Sequence, residues 1–128
     1  MSKVKIKSTL EKNNNILFSI NKEAIKNDNN IVFYDDDKNL MNIFISDNDV
    51  VIKRENNDML IELFFKDNKM MNGKYNIKKV NSYIEVKTKT HNMTKNKKSI
   101  IIEYDLYIED EYDDSYVYKL EWSDLIWT

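Results

Sequence analysis

The sequence predicts an all-β fold, a single closed antiparallel up-and-down barrel of about eight to ten strands. Three observations predict it. Apolar and polar residues alternate with a period of two in run after run, Asn and Asp punctuate the runs, and a helical reading is plausible only briefly, around residues 22–26, where the pattern continues as naturally in strand.

The first run covers residues 4–10, where Val4, Ile6 and Leu10 alternate with Lys3, Lys5, Lys7 and Thr9 and so point to opposite faces of a half-buried strand. Similar runs follow at 16–20, 31–34, 40–45, 50–54, 59–65, 75–77, 83–90, 100–108 and 116–122. Between them lie residues 13–15, 28–30, 35–39, 47–49, 56–58 and 111–115, rich in Asn and Asp. These short polar side chains tolerate left-handed backbone, and with Gly 1 and Pro 0 they are the turn formers this chain has. Turns this short make neighbouring strands antiparallel. A single sheet of so many strands exposes two edges unless it curls and closes, which favours a barrel over a two-sheet sandwich.

The chain of 128 residues reads as one domain, 1–128, because no linker, repeat or composition break divides it. Lys plus Arg number 20 against 22 Asp plus Glu, a net charge of −2, which argues against a broad nucleic-acid surface. With Cys 0 there is no disulfide, no thiolate zinc site and no thiol nucleophile. With His 1 there is no multi-histidine metal centre, and with Gly73 as the sole glycine there is no phosphate loop. No apolar run approaches the roughly 20 residues of a membrane-spanning helix, and alternation starts where a signal peptide would carry an apolar block. The expectation is a cytoplasmic protein without metal or cofactor.

The more apolar face of each strand gives an interior of Val4, Ile6, Val50, Ile52, Ile61, Leu63, Phe65, Ile84, Val86, Ile100, Ile102 and Leu120, with polar groups at intervals. An apolar lumen with a few convergent polar groups suits a small ligand. The candidate ligand-binding residues are Arg54, Thr88, Tyr104, Tyr118 and Trp122, with the Arg54 fork available to a carboxylate or phosphate. Side chains alone can also fill a small barrel, and Arg54 can snorkel from its mouth. His91 is expected near a strand end on the charged face. Nothing in the spacing of Ser82, His91 and Asp105 specifies a triad, and the acidic groups at 35–37 and 109–114 read as solvated turns, so no catalytic constellation emerges.

The alternating segments at Val4-Lys5-Ile6, at Val50-Val51-Ile52-Lys53-Arg54, at Glu85-Val86-Lys87-Thr88 and above all at Ser99-Ile100-Ile101-Ile102-Glu103-Tyr104-Asp105-Leu106-Tyr107 resemble the YwiB-like family of uncharacterised bacterial proteins. The resemblance implies a calycin-type, lipocalin-like closed barrel, and brings no activity or site residues with it. Asn and Asp stand where that family usually has turn glycines.

Two functions compete. In the first, the lumen holds a small, mostly apolar or amphipathic ligand. In the second, the core is filled and the outer face acts, as a homodimer or a protein-interaction module without catalysis. The apolar residues at 40–45 and Ile101 are the expected outer patch, with Leu125, Ile126 and Trp127 as a further candidate cover.

Overall fold

Ten strands follow one another in chain order: β1 (Ser2–Lys12), β2 (Asn15–Lys26), β3 (Asn30–Tyr34), β4 (Leu40–Ile45), β5 (Asp49–Glu55), β6 (Met59–Lys66), β7 (Met70–Ile77), β8 (Ser82–Asn96), β9 (Ser99–Ile108) and β10 (Glu111–Asp124). In the computed structural model, which describes residues 2–125, every strand pairs antiparallel with its chain neighbours, and β1 pairs with β10 to close the barrel. A short 3-10 turn, Lys78–Val80, links β7 to β8. No helix among the described residues is long and apolar enough to cross a membrane.

The period-two pattern maps onto the wall as expected. Val4, Ile6 and Ser8 of β1 are buried while Lys3, Lys5 and Lys7 are exposed. On β9, Ile100, Ile102 and Tyr104 are buried and Glu103 is exposed, and on β10 Tyr118 and Leu120 are buried between exposed Lys119 and Glu121. Burying those charges would require a one-residue register slip, which the alternation forbids. Asn13 and Asn14 both adopt positive φ, as do Glu109 and Asp110, so the β1–β2 and β9–β10 hairpins turn on two left-handed residues each. Asn68 and Asn81 do the same singly, and so does Lys38, which the composition of the turns did not single out.

Several details differ from the sequence expectation. The segment at 22–26 is strand throughout, as the end of β2. The eighth strand runs to Asn96, well past Thr90, because a bulge at His91 lets the chain resume pairing with β9. His91 is therefore a mid-strand residue. Ile43 is fully buried inside the barrel and cannot belong to an outer patch. Phe44 faces outward, with the Lys53 ammonium 5.5 Å from its ring centre. Ile126 and Trp127 lie outside the described residues.

The wall is uneven. β8, β9, β10 and β1 are laced by long ladders, with pairing from Val86↔Ile108 to Asn96↔Ser99 and from Glu111↔Ile108 to Glu121↔Ser99. In contrast, β2 and β3 pair only at Ile25↔Val32 and Lys26↔Ile31. β6 and β7 pair from Met59↔Ile77 to Glu62↔Lys74, and there Gly73 meets the β6 backbone so closely that a Cβ on it would lie 2.3 Å from the Glu62 carbonyl oxygen. Beyond this pinch β8 reaches β6 directly: the Thr88 hydroxyl donates to the Phe64 carbonyl.

Candidate functional site

Thr88, Tyr104 and Tyr118 are each buried on adjoining strands, Tyr104 and Tyr118 near each other and Thr88 turned toward β6. Their polar groups are largely engaged there. Tyr118 shares a 2.9 Å hydrogen bond with the Ser8 hydroxyl, and Thr88 is spent on the Phe64 carbonyl. Tyr104 packs edge-on against Phe65, with ring centres 4.8 Å apart, and stacks on Tyr116 at 5.6 Å. Burial pushes the Tyr104 and Tyr118 phenols well above the ordinary tyrosine range, with the Ser8 hydrogen bond offsetting little of the effect at Tyr118. They stay protonated at neutral pH. With Val4, Ile6, Ile43, Val50, Ile102 and Leu120 around them, these rings fill the centre of the barrel. The Thr90 hydroxyl is the one buried hydroxyl there without a partner among the described residues.

Arg54 and Trp122 stand toward opposite ends of the barrel, Arg54 late on β5 and Trp122 at the end where β2 meets β3 and β4 meets β5. The Arg54 fork is occupied by the chain itself: its Nε donates to Asp35 Oδ2 at 3.1 Å, and a terminal nitrogen lies 3.7 Å from Asp37 Oδ2. Asp35 is buried and collects further hydrogen bonds from the backbone N–H groups of Asp37 and Asn39, each at 2.9 Å, and from the Asn39 side chain at 3.0 Å. Burial raises its carboxyl pKa, but the Asn39 and Asp37 hydrogen bonds and the Arg54 charge outweigh that and hold it below the ordinary value of 3.8. Asp36 and Asp37 are thus the solvated turn expected, and Asp35 is the buried exception. The turn forms a latch in which Asn39 also accepts from Asn56 at 2.7 Å and Lys22 donates to the Asp35 carbonyl at 3.0 Å. A sequence signal existed in the Asp35-x-x-x-Asn39 spacing, which lets a carboxylate bond the chain two and four residues on.

At the other end Trp122 is half-buried against the core and borders two hollows. The first is a mouth of about 220 Å³ with Ile31, Ile45, Ile100 and Trp122 on its floor and Lys26, Lys95 and Lys97 around it. Side-chain amides link along the rim, Asn27 donating to Asn30 and Asn30 to Asn42, each at 2.9 Å. The second is an open depression of about 1020 Å³ over β1, β2 and β10, walled by the β8–β9 turn. It carries Lys5, Lys7, Lys22, Lys97 and Lys98 against Glu23 and Glu121. The two share Asn96, Lys97 and Trp122. Lys95 is held by the carbonyls of Ser46 and Asp47, and Lys26 by that of Asn27. Lys26, Lys95 and Lys97 form no ion pair with a carboxylate among the described residues, and with Asp28 as the acidic residue lining the same hollow the rim carries a net positive charge. Read as sequence, Lys95, Lys97 and Lys98 were indistinguishable from a solvated loop.

His91 bulges outward from β8 and its Nε2 lies 2.7 Å from Asp105 Oδ2, while the Ser115 hydroxyl donates to Asp105 Oδ1 at 2.5 Å. Ser82 is nine positions from His91 on the same strand, about 30 Å away, so the three do not form a triad. No cluster of three or more His, Cys, Asp or Glu side chains suited to a metal ion occurs among the described residues.

The model of a domain of unknown function, DUF1934, matches residues 2–120. The chain belongs to this family. The DUF1934 barrel is also similar to the crystal structure of the ywiB protein from Bacillus subtilis, with a TM-score of 0.60 and 16% identity over 94% of this chain and 90% of that one. At that identity the likeness is one of fold. No curated protein matches the chain. The family resemblance read in the strand segments is therefore right, and neither comparison assigns an activity to any residue of the site.

Proposed function

We propose that this DUF1934 barrel binds a small, mostly apolar ligand bearing an anionic group, at the barrel mouth beside Trp122 and not deep in the lumen. The observation that carries this reading is the joining of an apolar floor to a net positive rim: Ile31, Ile45, Ile100 and Trp122 below, and Lys26, Lys95 and Lys97 against Asp28 above. Small-molecule sites favour the mouths of β-barrels and combine apolar lining with a few oriented polar groups. The filled centre argues for the mouth, since Tyr118, Thr88 and Arg54 already spend their polar groups on the protein. An alkyl tail suits the 220 Å³ hollow, and the lysines of the adjoining depression suit its head. This reading assigns binding and no catalysis.

The test uses Trp127→Phe, which leaves Trp122 as the single tryptophan reporter, titrated with decanoate and, as the charge-reversed control, decylamine. Decanoate is expected to change Trp122 emission saturably, decylamine to do so far more weakly, and Lys97→Glu to raise the decanoate Kd about tenfold. An absent decanoate response, an equal response to the amine, or a Kd indifferent to Lys97→Glu would each overturn the reading.

A further inference from the structure

We propose that Lys95 is a clasp across the barrel mouth, gripping the opposite rim while the hollow is empty, and that an anionic ligand opens it by drawing the ammonium to itself. The proposal rests on the reading of this mouth as a binding site and adds how entry to it is controlled. It starts from the irregularity in β8. Up to Thr90 the even positions face inward, with Val86, Thr88 and Thr90 buried and Glu85 and Lys89 exposed. His91 and Asn92 are then both exposed, and beyond them the odd positions turn inward. Met93 packs against the core and Lys95 is half-buried, between exposed Thr94 and Asn96. The pairing with β9 shifts at the same point. Unbroken alternation would send Asn92, Thr94 and Asn96 inside and leave Lys95 in solvent, so the extra residue of the bulge is what brings this lysine inward.

The contacts of Lys95 show what it does there. Its ammonium donates to the main-chain carbonyls of Ser46 and Asp47, the latter at 2.6 Å, in the turn that follows Ile45 on the facing side of the hollow. β7 leaves β8 at Lys89, and the Thr90 N–H makes a last bond to the Lys69 carbonyl at 3.0 Å. From there to Asn96, β8 is laddered to β9 on one side and to no strand on the other. Among the described residues, the Lys95 hydrogen bonds are the tie from this free side to the β4–β5 turn.

The two partners open to Lys95 differ in kind. The carbonyls offer dipoles, whereas a carboxylate in the hollow offers the ammonium a full opposite charge. Lys95 already lines that hollow, so its flexible stem can stay in place while the head turns from rim to ligand. This supplies the differential interaction that a two-state element requires, clasped without an anion and released with one. A ligand enters through the unclasped state, and its apparent binding is reduced in proportion to how rarely that state is populated.

The test is the rate of decanoate association, followed by Trp122 emission in the Trp127→Phe protein with and without Lys95→Met, and repeated with decanol, which has no charge to steer. A clasp predicts that Lys95→Met speeds association of both probes about threefold or more, even though a cation has been removed. A lysine that only adds charge to the rim predicts slower decanoate association through lost steering, and no change with decanol. Either of those results would overturn the proposal. Amide exchange of the free protein gives a reading that needs no ligand. There Lys95→Met is expected to speed exchange at residues 46–49 and 92–96 and to leave Ile102 and Leu120 as slow as in the wild type. Unchanged exchange in the first two segments would also overturn the clasp. Decanoate that binds at rates indifferent to Lys95→Met removes the clasp and keeps the site, whereas a missing decanoate response removes the site and the clasp with it.

Discussion

The two sides of this barrel are closed by different chemistry. From β8 through β9 and β10 to β1, backbone ladders join the strands almost end to end. Between β2 and β3 two residue pairs suffice, and side chains of the latch do the rest: Lys22 to the Asp35 carbonyl, Asp35 to Asn39 and Arg54, Asn39 to Asn56. Where the ladder is continuous, stability resides in main-chain bonds and the apolar face behind them. Where it is interrupted, Lys22 is the side-chain tie from β2, and the buried Asp35 carboxylate, with donors from its own turn and β5, holds the turn that Lys22 reaches. Such a polar joint is more sensitive to pH and opens more readily than a ladder.

The largest expected effect tests the other interruption, at β6 and β7. Gly73→Ala puts a Cβ 2.3 Å from the Glu62 carbonyl oxygen and 3.2 Å from Val86 Cγ2, and the first of these is backbone that cannot rotate away. The loss should reach or exceed the roughly 3 kcal/mol upper part of the overpacking range. A urea denaturation curve with an unshifted midpoint would show that the pinch relaxes freely.

Next in size is Asp35→Ala, which strips Arg54 and Asn39 of their shared acceptor. A loss of about 1–3 kcal/mol is expected for removing a buried, multiply bonded acceptor. Because the folded Asp35 carboxyl lies below its ordinary value of 3.8, its stabilisation is complete above that pH and fades as pH falls through the folded value. The gap between wild type and variant should therefore be flat near neutrality and shrink below about pH 4. In hydrogen exchange the variant should speed β3 amides while leaving those of β9 as slow as in the wild type. Equal acceleration of both would mean that the barrel opens as one unit and the latch has no local role.

The contrast also explains what could be read in advance. Ladder-bound strands announce themselves: in residues 100–104 the buried Ile100, Ile102 and Tyr104 alternate with less buried neighbours, a pattern that follows from backbone geometry alone. Most of the Asn and Asp turns were legible for the same local reason, as the left-handed Asn13 and Asn14 attest, but the turn expected at 111–115 falls at Glu109 and Asp110, and residues 111–115 begin β10. The latch was not, because Asp35 and Arg54 are 19 residues apart and meet only once β4 has doubled back along β5. The mouth is a non-local assembly too. Ile31, Ile45, Ile100 and Trp122 lie on four different strands, and a lysine in a turn says nothing about which strand ends surround it. Trp122 was nonetheless a candidate from its place on the inner face, whereas Arg54, chosen on the same grounds, turned out to be committed to Asp35.

The smallest effect separates the rim of the latch from its centre. Lys22→Met keeps the aliphatic stem but removes the ammonium that bonds the Asp35 carbonyl and lies 3.2 Å from Asp36 Oδ1. That ammonium is partly solvated and Asp36 is exposed, so the change should stay within about 1 kcal/mol and diminish further with added salt. A loss as large as that of Asp35→Ala, insensitive to salt, would move the centre of the joint from the carboxylate to the lysine. It would mean that β2 is held to β3 mainly through the main-chain carbonyl of Asp35, with the Arg54 pair contributing little. The salt dependence decides between these because a carbonyl contact shielded inside the joint keeps its strength where an exposed ion pair does not.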